Sequence, residues 1–225
     1  MRPNYSIAID GPSGAGKSSV ARLLAQRLDF IYVDTGAIYR TVGLYAYRNG
    51  VDSKDEAGVT ALLPAINITF SCSAGLQRMS LNGEDVTDAI REHVISGYAS
   101  DVSAMPAVRE FLLQMQRDAA ASHDVIMDGR DIGTVVLPDA SLKIFLTASA
   151  EERARRRWLE LQAKGDTTPL EQVLEDINTR DYNDTHRAIA PLRQAEDARL
   201  FDTSALTLDQ VVDALEAWIR ESLSL

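Results

Sequence analysis

The chain has 225 residues, 45% of them hydrophobic and 25% charged. That length suits one α/β domain with a sizeable core, and the composition excludes disordered, collagen-like and coiled-coil classes. A net charge of −10 opposes both the phosphate backbone of nucleic acid and anionic membrane surfaces, so neither is expected as a partner. The lone Cys72 and three scattered histidines form no disulfide framework or structural metal site, and no apolar run is long enough for a signal-peptide core or a bilayer span. A cytoplasmic protein is expected, monomeric by default.

In chain order, Tyr5 to Asp10 reads as a short buried strand, followed by a glycine-rich turn and a helix from Lys17 to Leu28 with Val20, Leu23, Leu24 and Leu28 at helical spacing. A second strand, Phe30 to Val33, leads to Asp34-Thr35-Gly36, where Thr35 can cap a helix carrying Ile38, Val42 and Tyr45. Ser53 to Glu56 has the capping-box pattern for a short helix ending near Pro64. Ile66 to Ser71 and Leu76 to Leu81 alternate apolar and polar residues, and Asn82-Gly83 is a tight-turn pair, which predicts a small antiparallel insertion over 66–88. Helices are predicted from Arg91 to Ala104 and from Ala107 to Ala121. The runs Val125 to Met127 and Leu142 to Leu146 suit parallel strands buried on both faces. Capping boxes at Ser149 and Thr168 open two more helices, to Ala163 and His186; Leu200-Phe201 is a last strand and Leu208 to Ile219 a closing amphipathic helix. This alternation predicts an α/β, three-layer fold with a parallel central sheet over 1–225, the β-containing insertion and a helical lid being subdomains of it.

Gly11-Pro12-Ser13-Gly14-Ala15-Gly16-Lys17-Ser18 satisfies G-x-x-x-x-G-K-[ST] between a predicted strand and a predicted helix, as a phosphate-binding loop requires. Its amides, with that of Ser19 beyond, can converge on phosphate oxygens; Lys17 can reach the β/γ-phosphates and the Ser18 hydroxyl can join the shell of Mg²⁺. ATP with magnesium is the expected ligand. The loop alone does not separate a small-molecule kinase from a switch or a motor. A guanine-specific switch needs Asn-Lys-x-Asp, and no Asn-Lys pair occurs.

Of 23 basic residues only Lys17, Lys54, Lys143 and Lys164 are lysine. Arginine suits planar, bidentate phosphate recognition. Arg40 and Arg130 follow strand ends, the side where open α/β sheets take ligands. Arg153, Arg156 and Arg157 share a helix face, as do Arg180, Asp184 and Arg187; such spacing fits either a salt-bridged surface or the several cations a phosphoryl-transfer site needs. Gly165 to Thr168 joins these two helices into a lid over 153–187. Asp128 reads either as a carboxylate that orients metal-bound water or the arginines, or as a strand-end cap. Cys72, His93, Trp158 and Trp218 carry no expected chemistry.

Four segments together resemble the bacterial cytidylate kinase family of the nucleoside monophosphate kinase group: the loop Gly11 to Ser18, the run Asp34-Thr35-Gly36-Ala37-Ile38-Tyr39-Arg40, the run Asp128-Gly129-Arg130-Asp131-Ile132-Gly133-Thr134, and Arg180-Asp181-Tyr182-Asn183-Asp184 with Arg187. The insertion likewise resembles the enlarged monophosphate-binding subdomain of that family, whose members often have serine where Thr35 stands. The resemblance implies a P-loop kinase fold and transfer of the ATP γ-phosphoryl group to CMP or dCMP. It implies catalytic roles for Lys17, Arg130, Arg153, Arg157 and Asp128. Thr35, Arg40, Arg130 and Arg187 would hold the acceptor phosphate, Arg180 and Asp184 the ribose side, and Ser100, Arg109 and Asp131 the base, with Tyr39 also in the CMP-binding set. Another small phosphate acceptor, or a nucleotide-binding switch, is the alternative.

Overall fold

Five short strands pair side by side in the computed structural model, which describes residues 4–73, 76–163 and 165–225. They are β1 (Ser6–Asp10), β2 (Ile31–Asp34), β6 (Val125–Gly129), β7 (Leu142–Thr147) and β8 (Arg199–Asp202), in the order β2-β6-β1-β7-β8 and all parallel. Between β2 and β6 in sequence stands a separate antiparallel sheet of β3 (Ile68–Ser73), β4 (Leu76–Leu81) and β5 (Glu84–Asp85). Its β4–β5 turn is the Asn82-Gly83 pair, both at positive φ. The Gln77 side-chain amide docks this sheet against the end of β2, its oxygen accepting from the Asp34 N–H at 2.7 Å and its NH₂ donating to the Asp34 carbonyl at 3.4 Å.

The central strands alternate between two cores, as their period of two requires. Ile7, Ile9, Ile126 and Ile144 face α1 (Lys17–Leu28) and α8 (Leu208–Leu223); Ala8, Val33, Val125 and Met127 face the other way. That second face is covered by α2 (Thr35–Arg48), α4 (His93–Val102), α5 (Pro106–Ser122) and the small sheet, with the short α3 (Glu56–Leu62) at its margin. The expected layered α/β architecture with a β-containing insertion is therefore the one observed. A third, small cluster of Ala154, Val173 and Ile177 with Trp158 joins α6 (Ala150–Ala163) to α7 (Leu170–His186), giving the two arginine-bearing helices a core of their own. Among the described residues no helix is long and apolar enough to cross a membrane.

Local punctuation departs from expectation at several starts. Asp34, not Thr35, caps α2 by accepting from the Ala37 amide at 2.9 Å, because Thr35 is turned inward to donate to the Asp128 carbonyl at 2.7 Å. Asp55, not Ser53, caps α3, while the Ser53 hydroxyl donates to Asp101. Thr168 closes a turn on Asp166, so α7 starts after Pro169 without a side-chain cap. Ser149 accepts from the Glu152 amide, yet the Glu152 carboxylate serves Arg155 and Arg156 instead of completing a box. The helix expected from Arg91 is a short 3₁₀ turn, Ala89–Arg91, followed by α4.

Candidate active site

The carboxyl ends of β1, β2 and β6 each carry an aspartate, and register places Asp34 beside Asp128 and Asp10 beside Gly129. Over these ends opens a cleft of about 980 Å³. One wall is the phosphate loop from Ser13 to Ser19, and the facing walls come from α2, α4, the segment after β6, and α6 and α7.

Gly16 sits at φ 87° as the N-cap of α1, with no side chain accepting from the first amides of the helix. A helix start left open in this way offers its N–H groups and its dipole to an anion. Lys17 is buried, and its ammonium donates to the Pro12 carbonyl at 2.8 Å across the loop. Burial and then the neighbouring Arg130 hold it well below the usual lysine range, with Arg180 acting in the same direction. The Ser18 hydroxyl donates to Asp128 at 2.9 Å, and the Tyr32 hydroxyl donates to the other oxygen of the same carboxylate at 2.9 Å. Burial, with Asp34 close by, pushes Asp128 up to about 6.

On the opposite side Asp131 is buried between two arginines, Arg109 and Arg187, the latter at 3.3 Å. Burial raises Asp131 even so. Tyr39 lies beneath the Arg109 guanidinium, 5.7 Å from ring centroid to Cζ, and Ser100 lines the same end from α4. Between the two ends Arg130 donates to Asp184 at 2.8 Å, and Arg40 stands 3.7 Å from Asp34. Arg180 differs from these cations: its Nε is buried with no partner. Burial first, then Arg130, push its guanidinium down to about 10.

The cleft thus brings together Ser13 to Ser19, Thr35, Tyr39, Arg40, Ser100, Arg109, Asp128, Arg130, Asp131, Arg157, Arg180, Asp184 and Arg187. Gly11 and Pro12 form the turn beneath it. Arg153 is placed otherwise than expected: it is buried behind the phosphate loop, donating to the carbonyls of Ala148 (2.9 Å) and Ser13 (3.0 Å), and pairs with Asp181 at 2.7 Å. Two features went unread in the sequence. The loop Thr203 to Leu208 lines the cleft beyond the phosphate loop, where Arg156 donates to the Thr203 hydroxyl at 3.1 Å and carbonyl at 2.7 Å, and its hydroxyl and small apolar residues carry no motif. His93, expected to be inert, lies on the rim.

The profile of the family described as cytidylate kinase matches residues 7–221. The chain belongs to the cytidylate kinase family. A cytidylate kinase of Geobacter sp. (strain M21) is 50% identical over 218 residues, covering 97% of this chain and 94% of the relative. That of Caldicellulosiruptor saccharolyticus is 51% identical over 207 residues, 92% of each chain. Among solved structures, a shikimate kinase from Bacteroides thetaiotaomicron superposes at a TM-score of 0.50 with 14% identity, covering 98% of this chain and 99% of that one. An uncharacterized protein from Eubacterium ventriosum reaches 0.53 with 11% identity, over 96% and 98%. At such identities these two speak for the fold alone, which is that of a P-loop kinase. Membership in the family makes the chain a nucleoside monophosphate kinase, and the switch-protein alternative falls away.

Proposed function

We propose that this cleft transfers the γ-phosphoryl group of ATP to CMP or dCMP, giving ADP and CDP or dCDP, with each named residue acting as follows. The single observation that carries the reading is the buried Asp131 flanked by Arg109 and Arg187 at one end of a cleft whose other end is an open helix N-terminus with a buried lysine. Cytosine offers an N4 amino donor beside the N3 and O2 acceptors, and a carboxylate with an adjacent guanidinium matches that edge. Uracil presents a carbonyl where the amino group stood, so it would face Asp131 oxygen to oxygen and leave buried polar groups mispaired. Ser100 and Tyr39 complete the base end.

The donor triphosphate lies on the amides of Gly14 to Ser19 with Lys17 at its β/γ end, and its base extends toward Thr203 to Leu208 and the α6 arginines. The acceptor phosphate lies among Arg40, Arg130 and Arg187, with Thr35 beneath and Arg180 and Asp184 at its ribose side. Because that phosphate is already anionic at neutral pH, no general base is required. What the residues supply is alignment and fixed positive charge around a transition state whose negative charge is spread over the equatorial oxygens. The Ser18 hydroxyl and the Asp128 carboxylate, 2.9 Å apart with Asp34 beside them, are an all-oxygen donor pair of the kind that suits Mg²⁺ bound mostly by phosphate and water. When bound, Mg²⁺ offsets phosphate charge. The α6–α7 pair, residues 153–187, acts as a lid that excludes water, with Arg157 on its inner side and Arg153 bracing its hinge against the loop. The same reading takes the enzyme as a cytoplasmic monomer, consistent with its charge and single cysteine.

A coupled ADP-release assay with CMP, dCMP, UMP, AMP and GMP tests this. Activity is expected on CMP and dCMP, weakly on UMP and not on the purines, and Asp131→Asn should cut the CMP-over-UMP ratio in kcat/KM by about tenfold or more. A preference for a different acceptor, or an unchanged ratio in the variant, refutes the assignment.

A further inference from the structure

The acceptor end of the cleft rests on a carboxylate outside it. Asp10 ends β1, is 4% exposed, and accepts hydrogen bonds from the amides of Ile132 and Gly133, both at 2.7 Å. Those are the leading amides of a single wide helical turn, Ile132–Val136, that follows directly on Arg130 and Asp131. Leading amides of a turn need acceptors, and a neighbouring Asp ordinarily supplies one. Asp131 is in the N-cap position but makes no such bond, since its carboxylate is engaged by Arg109 and Arg187. Asp10 caps the turn from another strand, which frees Asp131 to face the cleft.

The far end of the turn is held in the complementary way. Arg117 on α5 donates to the carbonyls of Val136 (3.0 Å) and Val135 (3.1 Å). A carboxylate at the leading amides and a guanidinium at the trailing carbonyls both match the turn's dipole. Asp10 is also bonded covalently to Gly11, the first residue of the phosphate loop. One residue is thereby part of the donor-side strand and hydrogen-bonded to the acceptor-side segment.

We propose that Asp10 is a positioning residue that sets where Arg130 and Asp131 stand relative to the phosphate loop, with Arg117 steadying the other end of the same turn. Acceptor affinity and base choice then depend on a carboxylate that touches neither nucleotide. This rests on the acceptor-side reading of Asp131 given above.

Asp10→Asn keeps the side chain's shape but leaves one of the two amides facing an NH₂ group. Steady-state kinetics should show KM for CMP raised about tenfold or more, with a narrowed CMP-over-UMP ratio, and KM for ATP changed by less than about twofold. Arg117→Met should give the same pattern at about threefold. Hydrogen exchange read without substrate should show protection at Ile132 and Gly133 reduced by about tenfold in Asp10→Asn, with β6 amides unaffected. A merely structural Asp10 would lower thermal stability and kcat and leave the two KM values moving together; that outcome overturns the proposal. Should Asp10→Asn fail to fold, an Arg117→Met enzyme with unchanged KM for CMP overturns it alone. Should the wild-type enzyme favour another acceptor, the acceptor reading fails while the same KM split, measured with that acceptor, still decides the role of Asp10.

Discussion

Arg180 shows how a binding site costs stability one side chain at a time. Its guanidinium is buried beside Arg130, with Arg40 and Arg157 also near, and Asp184 offsets only part of that field. Because its folded-state value, about 10, lies below the ordinary 12.5, the charged form is the disfavoured one in the folded protein. The cost is therefore present throughout the neutral range and is relieved only as pH rises through about 10. Replacing buried ionic groups with well-packed apolar side chains of similar volume is often neutral or stabilising by about 1–4 kcal/mol, and Asp184 keeps its Arg130 partner when Arg180 is removed. Arg180→Met should accordingly melt higher than the wild type in the absence of nucleotides, by roughly 2–10 °C for a chain of this size. It should also lose about two orders of magnitude or more in kcat/KM for CMP. A variant that melts lower and keeps its activity would contradict both halves of the argument.

At the scale of elements, strands and helices were legible because their periodicities are physical: β1, β6 and β7 had to be apolar on both faces to lie inside a parallel sheet. Helix starts were less legible. Asp34, Thr35, Ser53 and Asp55 are all competent caps, and which one caps depends on tertiary partners such as the Asp128 carbonyl that claims Thr35. The same limit governed the site. Arginines at strand ends could be placed from position alone, whereas Arg153 could not, since its partners Ser13 and Asp181 come from other elements. Asp10 read only as the end of a strand because its two bonds reach across to a turn 122 and 123 residues on. The junction of β1 with the loop offers a sharp test of element packing. Gly11, at φ 148°, lies so close to the Leu146 carbonyl of β7 that a β-carbon there would overlap the oxygen. Backbone cannot yield as a flexible side chain can, so Gly11→Ala should cost about 3 kcal/mol or more and sharply reduce folded yield. Thermal melting or denaturant titration measures this, and a wild-type midpoint would mean the loop does not pack against β7 in this way.

For the whole molecule, the decisive contrast is between a chain of net charge −10 and a cleft in which burial and the nearby Arg130 disfavour the charges of Lys17 and Arg180, with Arg40 and Arg157 adding to the effect on Arg180. Aspartates offset positive charge in and around it: Asp184 on Arg130 and Asp131 on Arg109 and Arg187 within the cleft, and Asp181 on Arg153 behind the phosphate loop. Two of these pairs, Asp184 with Arg130 and Asp131 with Arg187, also link the α7 end to the segment after β6, so charges of the cleft help to hold α7 to the sheet. Anionic ligands should therefore stabilise the entire fold, not only the loop they touch. For a ligand at 100 times its Kd the linkage term is about 2.7 kcal/mol. In a protein of this length that corresponds to a rise in Tm of roughly 5–10 °C. A nonhydrolysable ATP analogue with Mg²⁺, and CMP separately, should each give a shift of this size in differential scanning fluorimetry, with AMP and GMP giving little at the acceptor end. The shift with CMP should shrink in Arg180→Met even though that variant starts from a higher melting point, because the charge that made the unliganded cleft costly is the one the acceptor relieves. If CMP raised the melting point of Arg180→Met as much as that of the wild type, Arg180 would be a structural cation and the electrostatic coupling between cleft and fold would have to lie elsewhere.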